Sequence, residues 1–429
     1  MSAEKRTAAI WFILVTILID VIGLGIIIPV LPRLIQQLNG VDIAKASQIG
    51  SWLLFAYAIM QFLFSPIIGG LSDKYGRRPV LLLALAGFGV DYFVQAFSPT
   101  LAILFFGRIV AGITGASFTT ASAYIADISQ PNEKAKNFGM IGAAFGIGFI
   151  IGPLLGVVCS SLGKSMGTIW GLDAEIRLPF IAAGLFCFVN LAFGFFVLPE
   201  SLKPENRRPF DWKRANPVGS LLQIKKYPIV LGLMFSMFLI YLASHAVQSN
   251  WSYYTTYKFN WSIKQVGFSL TMFGLFVSLV QGGLIRVAVP KLGENRAVFL
   301  GLAMYGLGMA LFAISNTELQ LYASLIIYCL GGIGGPTLQG IMSNQVPPNA
   351  QGELQGAMTS LMSFTSFIGP LIMNNIFYYF TTPAAPFKFP AAPFALAAIL
   401  IFIAIVLSIP ALKRAQKNKV SHQAETIES

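Results

Sequence analysis

Twelve stretches of roughly 20 mostly apolar residues run through this chain, each long enough to cross the hydrocarbon core of a bilayer. They lie near 8–30, 46–71, 79–98, 100–126, 138–162, 177–199, 227–249, 265–289, 297–315, 319–346, 355–380 and 390–411. In hydrocarbon every backbone N–H and C=O must be satisfied within the chain, so stretches of this kind form helices. The first stretch runs from Ala8 to about Val30 and contains Asp20. That is longer than the apolar part of a cleavable leader, so it is read as a retained span. The expected fold class is an all-α integral membrane protein of twelve transmembrane helices. Composition agrees, with 55% hydrophobic and 11% charged residues, where soluble domains carry about 25% charged.

The charges between the spans set the orientation. With the N-terminus in the cytoplasm, 21 of the 29 Lys and Arg residues fall on the inner side and 7 on the outer, with Arg108 inside a span. This is a positive-inside distribution, and it places the protein in the cell inner membrane with both termini cytoplasmic. The net charge of +12 is accounted for in this way, so nucleic acid is not expected as a partner. The halves repeat. At a shift of 217 residues, Gly76 matches Gly293, Pro131-Asn132 matches Pro348-Asn349, Gly139 matches Gly356, and Gly152-Pro153 matches Gly369-Pro370. A parallel repeat of six spans gives two pseudo-symmetric six-helix bundles. The expected organisation is a bundle over 1–199, a charged, Pro-rich cytoplasmic linker over 200–226, a second bundle over 227–411 and a cytoplasmic tail over 412–429.

The strongest local signal is the loop after the second span, Gly69-Gly70-Leu71-Ser72-Asp73-Lys74-Tyr75-Gly76-Arg77-Arg78. Gly76 permits a tight turn, and Asp73, Arg77 and Arg78 are able to form charge-assisted bonds across helix ends. Asp127, at the inner end of the fourth span, is the candidate partner. The loop reads either as a latch between the halves on the cytoplasmic side or as a solvated loop that only sets topology. The latch is favoured by the spacing and the repeat. Three charges, Asp20, Asp91 and Arg108, lie inside spans. A charge in the membrane costs several kcal/mol, which marks all three as functional candidates. Asp20 lies roughly 18 Å from the inner end of its span and Arg108 roughly 12 Å from the outer end of its own, near the midplane. The fifth span carries Gly142, Gly146, Gly148, Gly152 and Gly156 at four-residue spacings, with Pro153. Such a stripe serves close helix approach, and the proline bends the helix. Gln61, Tyr241, His245, Gln248, Gln281, Tyr305, Gln339 and Asn344 are the polar residues available for a substrate cavity. His245 reads equally as a titrating group or as a structural one.

The strings GGLSDKYGRRPVLLLALAG, VDYFVQAFS, GRIVAGITGAS, AYIAD and GAAFGIGFIIGPLLG closely resemble the tetracycline/proton antiporters of the major facilitator superfamily, as do VGFSL, LQGIMS and ELQGAMTSL. The resemblance covers nearly the whole chain. It implies two six-helix bundles around a central cavity, and export of a drug, usually as a metal chelate, against inward proton flow. In the resembled fold the first and fourth spans both line the cavity. This implies that Asp20 and Arg108 approach each other, with Asp20 gaining and losing a proton, unless the two form a static ion pair. Asp91 matches the aspartate of the family's helix-3 motif, on a peripheral span, and serves either structure or substrate contact. The glycine stripe resembles the antiporter motif, although tight packing alone also explains it. Gln281 coincides with a family glutamine. The sequence departs from the family where the exporters have a helix-8 histidine and a helix-9 aspartate. Val277 and Tyr305 stand there, so coupling through the second half is absent or rerouted.

The expected partners are therefore a small-molecule substrate, protons and the bilayer, with the protein acting as a monomer. Transport of an amphiphilic compound outward is the leading reading. An importer or facilitator of a metabolite or siderophore on the same scaffold is the alternative, and a non-transporting receptor a remote one. No HExxH and no Ser/His/Asp set lies in the spans, so no enzyme is expected. No cofactor motif is visible. Cys159, Cys187 and Cys329 all lie in apolar spans without a CxxC, so neither a disulfide framework nor a metal site is expected.

Overall fold

A computed structural model of the protein describes residues 3–428 apart from 116, 130–133, 208, 210–225 and 348–350. The first half contains α1 (Ala3–Ile27), α2 (Leu31–Asn39), α3 (Ile43–Tyr75), α4 (Arg77–Phe97), α5 (Leu101–Thr114), α6 (Ser117–Ile128), α7 (Lys134–Met166) and α8 (Ala174–Val197). A small hairpin of β1 (Thr168–Ile169) and β2 (Leu172–Asp173) precedes α8. The second half contains α9 (Pro228–Gln248), α10 (Trp251–Phe259), α11 (Ile263–Leu279), α12 (Ile285–Leu292), α13 (Glu294–Ile314), α14 (Glu318–Leu330), α15 (Gly334–Ser343), α16 (Gln351–Thr381) and α17 (Ala392–Glu428).

Among the described residues eleven helical segments are long and apolar enough to cross a membrane, with α11 and α12 joined as one and α14 and α15 as another. The remaining expected span, 100–126, is divided between α5 and α6. The division falls at Gly115, whose carbonyl accepts a bond from Gln61 Nε2 at 2.8 Å. That bond satisfies a group the broken helix would otherwise leave bare at membrane depth. The expected span 319–346 is also divided, by a 3₁₀ turn at Gly331–Ile333. Between α11 and α12 the helix widens to a π turn over Val280–Leu284.

Helix ends are closed by identifiable groups. Asp42 accepts from the Lys45 N–H at 2.7 Å and starts α3. Thr317 and Gln320 form a capping box that starts α14. Arg177 Nη1 donates to the carbonyls of Gln95, Ala96 and Ser98 at 3.2–3.3 Å and closes the end of α4. Large apolar side chains such as Phe196, Leu319 and Phe402 are open on the surface, as expected where lipid is the solvent.

Contacts divide the chain into two compact units, Met1–Asn216 with Thr255–Gly274, and Pro217–Tyr254 with Leu275–Ser429. In the first unit, α1 packs on α6 and α7 through Ile13, Ile17, Val21, Tyr124, Ile125 and Ala144. The early part of α11 joins this unit because its glycines admit α7. A Cβ added to Gly274 would lie 3.0 Å from the Phe149 carbonyl and the Ile150 side chain. In the second unit, Trp251, Tyr254, Phe312 and Phe394 form an aromatic cluster with centroids 4.8–6.2 Å apart. The repeat has a backbone counterpart. Gly76 and Gly293 each join two helices with positive φ, 106° and 78°. Gly152-Pro153 lies within α7 and Gly369-Pro370 within α16. Pro131-Asn132 and Pro348-Asn349 lie outside the described residues.

Candidate functional site

Asp20 lines a cavity of about 90 Å³ inside the first unit. Thr16 of α1, Tyr57 and Gln61 of α3, Phe88 of α4 and Phe145 of α7 share the lining. Asp20 is the acidic residue among these walls, in a lining that is otherwise largely apolar.

The helix that carries Asp20 is held immediately after it. Gly148 of α7 faces Val21, Gly152 faces Gly25 and the Ile22 carbonyl, and Gly156 faces the Ile26 carbonyl. A Cβ on Gly152 would come within 2.7 Å of Gly25 Cα and 2.8 Å of the Ile22 oxygen. Three glycines of the predicted stripe thus clamp α1 between Val21 and Ile26, and Pro153 packs against Gly25 from the same helix. The sequence does not single out Gly25 as a partner, although it is the small residue that makes the approach possible. Gly142 and Gly146 lie in α7 beyond this clamp.

The arginine has a partner that the sequence does not name. Arg108 forms an ion pair with Asp91, through Nη2 to Oδ2 and through Nε to Oδ1 at 3.3 Å. Gln95 Nε2 adds a third bond to the same carboxylate at 2.9 Å. Asp91 is fully buried and Arg108 is 7% exposed. Its partner here is Asp91, on the neighbouring helix of the same hairpin. The reason is hairpin geometry. Asp91 lies six residues before the end of α4 and Arg108 seven after the start of α5. At 1.5 Å per residue both sit roughly 10 Å from the same turn. The other face of the guanidinium lies over the Tyr57 ring, 5.5 Å from its centroid. Tyr57 thus adjoins both the ion pair and the Asp20 cavity.

The loop between α3 and α4 forms a dense cluster. Arg77 Nη1 bonds Asp73 at 2.6 Å and Ser72 Oγ at 2.6 Å, while its Nε bonds Asp127 at 3.1 Å. Glu200 accepts from the Arg77 N–H at 2.9 Å, the Arg78 N–H at 3.2 Å and the Leu202 N–H at 3.0 Å. A carboxylate so placed satisfies the open N–H groups at the start of α4 and the positive end of its dipole. Arg78 donates to the Phe195 carbonyl at 2.5 Å, and Ser201 Oγ bonds Asp127 at 3.2 Å. Asp127 is the partner that the sequence suggests. Glu200, the first acid after the sixth span, reads in the sequence only as the start of the linker. Among the described residues these bonds tie the ends of α3, α4, α6 and α8 to one another within the first unit. Gly69 has no neighbour within 4 Å of an added Cβ.

The second-half candidates separate by burial. His245 is buried, and its ring fills the space that a Cβ on Gly369 would need. Tyr305 bonds Tyr328 hydroxyl to hydroxyl at 3.0 Å, with the rings stacked 4.7 Å apart. Tyr241 is part-buried and its carbonyl accepts from Ser244 Oγ. Gln248 bonds Ser244, Gln339 bonds Gln355, and Gln281 is exposed on the π turn. A buried pair, Asn250 and Asn374, bonded at 2.9 Å, has no signal in the sequence. Among the described residues no group of three or more His, Cys, Asp or Glu is placed to hold a metal ion.

Membrane-crossing helices in number, a carboxylate lining an intramembrane cavity and a buried ion pair define a multi-pass membrane protein of the secondary-transporter class. Comparison with known proteins makes the class specific. The family model of the Major Facilitator Superfamily matches residues 13–370 and 233–427, and the chain belongs to that superfamily. The class C tetracycline resistance protein of Escherichia coli is 39% identical over 87% of this chain and 90% of its own length. The crystal structure of the human organic anion transporter MFSD10 is similar at a TM-score of 0.67 and 25% identity, over 95% of this chain and all of that one. A bacterial homologue of the human lysosomal transporter Spinster has a TM-score of 0.78 at 13% identity, over 97% and 99% of the two chains, and shares the fold.

Proposed function

We propose that the protein is a proton-coupled exporter of a small amphiphilic organic compound, working as a monomer in the inner membrane with both termini cytoplasmic. The observation that carries this reading is Asp20, an acid lining an intramembrane cavity on a helix clamped by glycines. The carboxylate in this wall is a group able to hold a proton. Opening to opposite sides of the membrane at different stages of a cycle therefore makes it bind and release a proton vectorially. Arg108 is neutralised by Asp91, so in this reading the pair holds α4 to α5 and leaves the proton to Asp20. The loop cluster built on Arg77 and Glu200 keeps the first half rigid while it moves.

Export agrees with the names of relatives, tetracycline resistance proteins 35–39% identical over most of the chain. The test is uptake into proteoliposomes of a panel of amphiphilic compounds under an imposed pH gradient. Uptake that tracks the gradient supports the reading. Binding without gradient-dependent movement of any compound contradicts it.

A further inference from the structure

The second unit carries a mostly apolar groove with a cation on its wall and Asn344, one of the polar residues that the sequence offers for a substrate cavity, at its rim. It lies between α12 and α15, has a volume of about 450 Å³, and is lined by Arg286, Val289, Pro290, Pro336, Ile341 and Asn344 among others. Two features set it apart from an ordinary lipid-facing furrow. The first is Arg286, an exposed cation about 9 Å inside the end of α12 at the helical rise of 1.5 Å per residue. Among the described residues it has neither an ion-pair nor a hydrogen-bond partner, unlike Arg77, Arg78, Arg108 and Arg177 of the first unit. A guanidinium beside apolar side chains near the inner end of a helix presents a planar fork of donors that suits an anion. The second is the backbone that presents it. The π turn at Val280–Leu284 acts as a one-residue insertion, so it rotates α12 by about 100° relative to an uninterrupted helix. No residue of α12 is buried.

The chemistry of the walls is divided. Val289, Pro290, Pro336 and Ile341 offer an apolar bed. Arg286 offers a planar fork of donors that suits phosphate or carboxylate, and the Asn344 side chain adds polar capacity at the same end of α15. Glu294 is also on the rim, past the end of α12 and beyond Gly293, and is engaged in an interaction of its own. Room is available at the floor, since a Cβ added to Gly340 meets nothing within 4 Å.

We propose that this groove is a binding site for an amphiphilic anion, its phosphate or carboxylate head on Arg286 and its alkyl tail along the apolar bed. Basic pockets between transmembrane helices hold anionic head groups for the same reason. The site is read by binding alone, so it stands or falls separately from the export reading.

The experiment measures equilibrium binding of radiolabelled decyl phosphate to the full chain in nanodiscs of zwitterionic phosphatidylcholine, with protein-free nanodiscs subtracted. Saturable binding is expected, weakened at least tenfold in Arg286→Gln and partly restored in Arg286→Lys. Gly340→Leu fills the floor of the groove without touching the cation and should weaken binding likewise. Decyltrimethylammonium should not compete. A parallel series in nanodiscs containing phosphatidylglycerol separates the sources of the anion. Loss of decyl phosphate binding there assigns the site to a lipid head group, and its persistence assigns it to a free anion. Unchanged binding in both Arg286→Gln and Gly340→Leu, or competition by the cationic amphiphile equal to that by unlabelled decyl phosphate, overturns the proposal. Thermal unfolding of each variant without ligand checks that it is folded, and Gly340→Leu decides if Arg286→Gln is not.

Discussion

Asp91 and Arg108 show what a single buried charge requires of its surroundings. Each would be prohibitive alone in this position, and together they neutralise one another, with the Gln95 amide donating to the same carboxylate. Removing one partner strands the other. Arg108→Gln should destabilise the protein by about 3–5 kcal/mol, and the double variant Asp91→Asn/Arg108→Gln should recover much of that. Thermal unfolding in detergent measures both, and a double variant no better than the single one would show that the charges are not a closed pair. The sequence marks all three intramembrane charges as costly, and that part is legible. Which charge meets which is not, because depth counted from the membrane faces misses the turn that α4 and α5 share. Glu200 escapes notice for a related reason. Its function depends on where α8 ends in space, against the first N–H groups of α4, and nothing in the local string PESLKPENRRP reports that.

At the scale of elements, glycines decide which helices touch. The stripe on α7 is visible as a four-residue spacing, but its partner is not, since spacing identifies a flat face and not what lies on it. The structure places α1 there, just after Asp20, with Gly25 completing the approach. Gly152→Val should therefore push α1 away and lower the yield of folded protein, with gradient-driven uptake by what remains reduced at least tenfold. Gly340→Ala, on a helix with open space beside it, should be neutral in both respects. Size-exclusion profiles and uptake per folded molecule measure this, and equal effects at the two sites would contradict the clamp. Helix interruptions are harder to foresee. Apolar length alone reads 100–126 as one span, whereas the Gln61 side chain provides the bond that lets the chain break at Gly115. Gln61, a candidate substrate contact by its sequence position, is thus also a structural residue. The π turn ahead of Arg286 has no sequence signature of comparable strength.

For the whole molecule, hydropathy and the shift of 217 residues make the helical membrane fold and its internal repeat legible, because lipid leaves so few ways to satisfy a backbone. Substrate choice is a finer matter. Where the resembled exporters have an aspartate, Tyr305 is engaged with Tyr328, and Val277 stands in place of the histidine. A cationic or metal-chelated ligand needs a compensating charge in a site of low dielectric. The protein should accordingly confer little tetracycline resistance in a pump-deficient bacterium, at most about a twofold rise in inhibitory concentration, less than one tenfold step of 1.4 kcal/mol in affinity. High-level resistance would show that an acid in the second half is dispensable.

In the proposed cycle Asp20 is the group that carries the proton, and Asp20→Asn keeps its shape while removing its charge. The direct measurement is uptake of a transported compound into proteoliposomes under an imposed pH gradient, wild type beside Asp20→Asn at equal amounts of folded protein. Loss of gradient-driven uptake, with exchange of labelled for unlabelled substrate at equal pH retained, is the result predicted. Gradient-driven uptake by Asp20→Asn at the wild-type rate would contradict it.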